Sequence, residues 1–219
     1  MADPIVIVGA TGLIGSLLVR QLRDDNGFDD VHVIVREKRD INYDGVTVHV
    51  APSVKWSEII AEIQPHAIVS CLGSTMKKAG SKNAFAAVDR DLVSALAKAA
   101  KNAGAKHMIA VSSTMANSYA SSYYLKIKGQ AEDKMRAQRF DRLDLIRPGL
   151  LRGERTNDQR AGESFAIAVS PLMDKLLHGS FRRYRSIDAS AVAKAMVVLL
   201  NEQKPGQFIH ENDEIWDLN

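Results

Sequence analysis

Cysteine is nearly absent from this chain. Cys71 stands alone among 219 residues, which excludes an internal disulfide framework and points to reducing surroundings. An excess of one charge is also lacking: the formal net charge is +3, too small to mark nucleic acid as the main partner. No run of about 18 apolar residues occurs, so no membrane-spanning helix is predicted. The opening "MADPIVIVGA" has neither the basic start nor the long apolar stretch of a secretory signal. A cytoplasmic location is the expectation from these absences. The six histidines, at 32, 49, 66, 107, 178 and 210, show neither the helical pairing nor the Cys/His spacing of a metal site, and no metal is expected. Internal repeats and low-complexity tracts are absent too.

What is present is an alternation of two patterns. Short β-branched runs at 4–9, 31–35, 46–50, 66–72, 107–113 and 143–148 read as strands. Most are apolar on both faces, as strands of a helix-covered parallel sheet must be. Between them lie segments with apolar residues at helical spacing: "GLIGSLLVRQLRDD", "SEIIAEI", the alanine-rich 82–104, which Gly104 should end, and "YYLKIKGQAEDKMRAQRF". Parallel neighbours need crossover connections, so the alternation predicts a doubly wound α/β sheet of the Rossmann type. After Pro148 a polar loop is followed by helical stretches near 164–178 and 189–201 and a strand at 207–210. This tail is too small for a domain of its own. The expectation is one domain over 1–219, with 150–219 forming a small C-terminal cap on the substrate side of the strand-end crevice.

"VIVGATGLIG" runs a strand into Gly9, Gly12 and Gly15 and then into an amphipathic helix. The three glycines serve a tight turn, close backbone approach to a pyrophosphate, and helix–sheet packing. The helix N-terminus adds free amides and a positive dipole. Thr11, Leu13 and Ile14 fall within the same cofactor-binding loop. The second strand ends "VIVREKRD". A cofactor with a free ribose 2′-hydroxyl usually meets an acidic residue there; Arg36 instead suits a 2′-phosphate. NADP(H) is therefore expected in preference to NAD(H).

"GATGLIG", "CLGSTMKKAGSKNAFAAVDRDLV", "VSSTMA…YYLKIKGQAE" and "FDRLDLIRPGLL" together resemble the Tat-interacting-protein-like branch of the atypical short-chain dehydrogenases/reductases. The resemblance covers most of residues 4–155 and weakens beyond. It implies an NADP(H)-binding fold with Ser113, Tyr124 and Lys128 as the catalytic set. The chemistry of these residue types agrees. Tyr124 and Lys128 are four apart in a helical pattern and share a face. A tyrosine hydroxyl has a reference pKa near 10, and a neighbouring ammonium favours its phenolate; the same ammonium can hydrogen-bond the nicotinamide ribose, so Tyr124 and Lys128 are expected to touch the cofactor as well. A serine hydroxyl at a strand end can hydrogen-bond a carbonyl oxygen as charge develops on it. Ser112 and Ser113 are adjacent on a strand and point to opposite sides, so only one faces the cofactor; the family pattern favours the second.

Leu72, Gly73 and Thr75, at the end of the fourth strand, should run close to the cofactor, Gly73 by lacking a side chain. Cys71 should pack beside it as a small apolar residue. "RPGLL" ends the sixth strand, so the backbone from Pro148 through Gly149 to Leu150 should line the nicotinamide pocket. Arg147 is either part of that pocket or paired with a carboxylate. The arginines of the tail, including "FRRYR" (181–185), fit an anionic substrate and a solvated rim equally well. Two functions remain: an NADPH-dependent oxidoreductase acting on a small-molecule carbonyl, or a non-catalytic NADP(H) sensor that changes its affinity for a protein partner.

Overall fold

The computed structural model describes residues 3–25, 27–37, 44–153 and 185–219. Seven strands form one parallel sheet: β1 (Ile5–Val8), β2 (Val31–Val35), β3 (Thr47–Val50), β4 (Ala67–Ser70), β5 (His107–Val111), β6 (Arg142–Arg147) and, numbered in chain order, β9 (Gly206–Glu211). A separate two-stranded ribbon pairs β7 (Leu150–Arg152) with β8 (Ser186–Asp188). The sheet order is β3-β2-β1-β4-β5-β6-β9. The chain winds outward from β1 on one side and then crosses to β4 on the other, and that reversal opens a crevice between the carboxyl ends of β1 and β4.

Two-sided burial explains the unbroken apolar runs. In β1, Ile5 and Ile7 join one core while Val6 and Val8 join the other, as the two-residue period of a strand requires. Helix α1 (Leu13–Asp24) covers the first face through Leu18 and Leu22. Helix α2 (Trp56–Ile63) covers the second through Trp56 and Ile60. The short α3 (Met76–Ala79) leads into a long helix made of α4 (Lys82–Ala86), a π-helical turn (Ala87–Leu92) and α5 (Val93–Asn102). Gly104 ends it at φ 97°, a left-handed conformation that glycine adopts without a Cβ penalty. Helix α6 (Tyr123–Arg136) packs on the second face through Ala131 and Met135.

In the C-terminal segment, the described helix and strand pack onto the main sheet. Helix α7 (Ala189–Leu200) buries Val192, Met196 and Leu199 in the first core, and β9 extends the main sheet beside β6. Much of the tail is thus part of the fold itself, because an apolar helix and an alternating strand find their best burial against the existing layers. Helix α8 (Asn212–Asp217) closes the chain with a capping box between Glu211 and Glu214. The helical stretch read near 164–178, Lys38, Arg39, and all of "FRRYR" but Arg185 lie outside the described residues.

Candidate active site

All seven main-sheet strands are parallel, so every residue just past a strand's end lies along one edge of the sheet. Gly9, Arg36, the Cys71–Thr75 stretch, Ser112–Ser113 and Pro148–Leu150 all meet this condition. They come from five separate segments of the chain, and the topology brings them to one edge.

The loop at the crevice is built around absent side chains. Gly9 holds φ 82°, and a Cβ there would lie 2.6–2.7 Å from the backbone of Cys71 and Leu72. A Cβ on Gly15 would overlap the Gly9 carbonyl. Gly12 donates its amide to Gly9 O at 3.0 Å and leads into α1 with no side-chain cap. The first-turn amides of that helix therefore point at the crevice with no intrahelical acceptor, an arrangement that fits a pyrophosphate. Thr11 and Leu13 are half-buried at the loop. Ile14 is buried in the core, so only its backbone is placed to face a ligand. Arg36 follows β2 with an exposed side chain.

Cys71 is held as a protonated thiol, its pKa pushed up to about 12 by burial. Such a thiol is no nucleophile at neutral pH, in keeping with a packing role. Thr75 caps α3 by accepting the Lys78 amide at 3.2 Å, which leaves its O–H free to donate. Leu72 is half-buried, and Gly73 is exposed.

Tyr124 and Lys128 stand one turn apart on α6. Tyr124 is half-buried against the Phe85 ring, with centroids 5.5 Å apart, and its hydroxyl has no hydrogen-bond partner among the described residues. Lys128 is 5% exposed, with its Nζ 2.8 Å from Asp89 Oδ1. A Cβ on Gly73 would stand 3.5 Å from that Nζ, so the ammonium lies directly beneath the loop after β4. Asp89 Oδ2 accepts the Ser74 amide at 2.9 Å.

The two serines separate cleanly. Ser112 is buried and donates to Glu132 Oε1 at 2.5 Å; its side chain points into the protein. Ser113 is half-buried, and among the described residues its hydroxyl reaches only the Thr114 carbonyl, at 3.2 Å. Strand alternation gives Ser113 the opposite face, and a turn closed by Ala116 N on Ser113 O at 3.0 Å follows. Near Pro148 the protein uses part of the backbone itself: Thr114 N donates to Pro148 O at 3.2 Å, and Gly149 N donates to the buried Asn212 at 2.9 Å. Leu150 begins the β7–β8 ribbon and is exposed.

Several of these features carried no local signal. Glu132 lies four residues beyond Lys128, 1% exposed, and holds Arg147 through Nε at 2.9 Å and Nη2 at 2.6 Å. Arg147 also meets Glu211 at 3.3 Å, and Glu211 accepts from Thr114 at 3.2 Å. The hydrogen bond to Glu132, with its charge, raises the already high pKa of the guanidinium. Of the two readings of Arg147, the structure gives the carboxylate-paired one. Gly129 is similar: a Cβ there would overlap Asn117 and Ser118, so its bareness lets the loop after β5 lie on α6. The scattered histidines are also brought together. His32 and His49 hydrogen-bond at 3.0 Å, while His107 and His210 each lie 2.7 Å from Asp144.

This crevice has relatives. A family model described as NAD(P)H-binding matches residues 9–203. The chain belongs to this NAD(P)H-binding family. It is 35% identical over 184 residues to "Protein FMP52-2, mitochondrial" of Scheffersomyces stipitis, covering 83% of this chain and 79% of that one. With "Protein HTATIP2" of Rattus norvegicus it shares 37% over 166 residues, covering 74% and 68%. These relatives confirm the Tat-interacting-protein-like, atypical short-chain dehydrogenase/reductase branch that the motifs resembled. Among solved structures, the Bordetella bronchiseptica enzyme WbmH in complex with NAD+ superposes with a TM-score of 0.71 at 16% identity, over 95% of this chain and 75% of that one. The Bacillus cereus UDP-glucuronic acid 4-epimerase in complex with UDP-glucuronic acid and NAD gives 0.68 at 14%, over 94% and 76%. At such identities the likeness establishes the fold, an NAD(P)-binding Rossmann sheet.

One expectation falls. The cytoplasmic location is overturned, because the FMP52 relatives from Scheffersomyces stipitis, Meyerozyma guilliermondii, Candida albicans and Saccharomyces cerevisiae are named mitochondrial. A low cysteine count speaks to redox conditions, and more than one compartment is reducing. Among the described residues no helix is long and apolar enough to cross a membrane.

Proposed function

We propose that this protein is an NADPH-dependent oxidoreductase that reduces a small-molecule carbonyl, with Ser113, Tyr124 and Lys128 as its catalytic residues. One observation carries the reading: the buried Lys128 ammonium lies under Gly73 at the crevice, one helical turn from a tyrosine whose hydroxyl is unengaged by the described residues. The bound cofactor supplies a hydride to the carbonyl carbon. Tyr124 gives its proton to the carbonyl oxygen, and the Lys128 ammonium stabilises the phenolate left behind. Ser113 donates a hydrogen bond to the same oxygen, where negative charge grows. Ser112 does not compete for this role, since its hydroxyl is committed to Glu132. Exposed Arg36 at the end of β2 supports NADP(H) over NAD(H).

The test separates binding from chemistry. Tyr124→Phe keeps the ring against Phe85 and removes the proton donor. Its NADPH affinity is expected to stay within about twofold of wild type, while turnover on a screened carbonyl panel falls by about 100-fold or more. A variant that turns over like the wild type would remove Tyr124 from the chemistry. A wild type that binds NADPH, reduces nothing and changes its hold on a protein partner would favour the sensor reading.

A further inference from the structure

Asp89 was singled out by no motif, yet three parts of the site meet on its carboxylate. Its side chain is fully buried, with Oδ1 2.8 Å from Lys128 Nζ on α6 and Oδ2 2.9 Å from the Ser74 amide in the loop after β4. The third part is the helix that carries it. The turns on either side of Ala87–Leu92 are α-helical, and only this turn widens to the π form, a local insertion that often marks a functional position. The neighbouring Arg90 and Asp91 pair with each other at the surface at 2.8 Å, whereas Asp89 points inward.

Stability alone accounts poorly for this arrangement. Burying two opposite charges costs more desolvation than an apolar pair of the same size would. Both carboxylate oxygens are instead used to tie parts of the site together, Oδ1 by the Lys128 ammonium and Oδ2 by the Ser74 amide. Gly73 leaves the space above the pair open: a Cβ there would be 3.5 Å from Lys128 Nζ and 3.8 Å from Asp89 Oδ1.

We infer that Asp89 is a positioning residue of the reductase site: it anchors the Lys128 ammonium and the Gly73–Thr75 loop in one fixed relation, so that both meet the cofactor together. The inference rests on the reductase site proposed above, in which the Lys128 ammonium both stabilises the Tyr124 phenolate and hydrogen-bonds the nicotinamide ribose.

The experiment is a double-mutant cycle on NADPH affinity, measured by fluorescence titration of the wild type, D89N, K128M and D89N/K128M, with the urea unfolding midpoint of each. Asparagine keeps the shape and can still accept from Ser74 while deleting the charge. D89N is expected to weaken NADPH binding by about tenfold, the worth of one charge-assisted contact. K128M should weaken it at least as much, and the double variant no more than K128M. In 15N-lysine-labelled protein without cofactor, the Lys128 ammonium signal, assigned by its loss in K128M, should move in D89N while the other lysine signals stay.

Wild-type affinity in D89N alongside weakened K128M would overturn the positioning role alone. Losses that add in the double variant would do the same. Undiminished binding in K128M would overturn the role of Lys128 and the inference with it. Should D89N not fold, D89L/K128M, which removes both buried charges, is read instead: affinity no better than K128M supports the inference, and wild-type affinity overturns it.

Discussion

At the scale of single residues, buried charge is what this sequence hides best. Asp144 in β6 is fully buried, and burial alone would raise its pKa; hydrogen bonds from His107, His210 and Arg142 outweigh that and hold its carboxyl well below the usual carboxylate range. Arg142 completes the set at 2.7 and 2.9 Å. Because the folded pKa is depressed, the cluster's contribution is complete above the unfolded carboxylate value of about 4 and is lost as pH falls through the folded value. Asp144→Asn should therefore lower stability at neutral pH by about 3 kcal/mol, the usual cost of breaking a buried pair. The deficit should shrink as unfolding is followed to lower pH. An equal deficit at pH 7 and pH 3 would mean that the loss is one of packing and not of charge. None of this was legible beforehand, since His107, Asp144 and His210 are far apart in the chain and only strand pairing makes them neighbours. Gly9, Gly12 and Gly15 were legible for the opposite reason: strand, turn and helix follow one another without a break.

Among the elements, the strands and long helices were recovered nearly to their ends. Two-sided apolar runs and helical spacing are local properties, so β2 matched at both ends and α6 began at Tyr123 as read. The short elements escaped. The β7–β8 ribbon has three residues per strand and α8 has six, too few for a period to register. The π turn was invisible within an alanine-rich helix, because it is a shift in backbone hydrogen bonding that apolar spacing does not register. The C-terminal helix and strand are legible from their spacing, but apolar spacing tells that a face is buried and not against what.

Helix α6 owes its position to Gly129, whose missing side chain admits Asn117 and Ser118. Gly129→Ala is expected to destabilise the protein by about 1–3 kcal/mol through overpacking, although alanine is the better helix former. A thermal or urea denaturation series would check this; a variant as stable as the wild type would show that the loop yields freely. The same substitution should lower turnover more than NADPH affinity, because the displaced loop carries Ser113.

For the molecule as a whole, the doubly wound sheet turns residues from five segments into one edge, and the reversal between β1 and β4 decides where a dinucleotide fits. That much followed from alternation, glycine spacing and the family resemblance. The expected preference for a 2′-phosphate rests on Arg36 standing where an acidic residue would serve NAD. The most direct measurement is a calorimetric titration of the purified protein with NADPH and, separately, with NADH, repeated on Arg36→Ser. The account predicts NADPH binding at least about tenfold tighter than NADH, with the difference largely lost in the variant. Equal affinities in the wild type would contradict it, and binding of neither nucleotide would remove the ground from under the proposed chemistry.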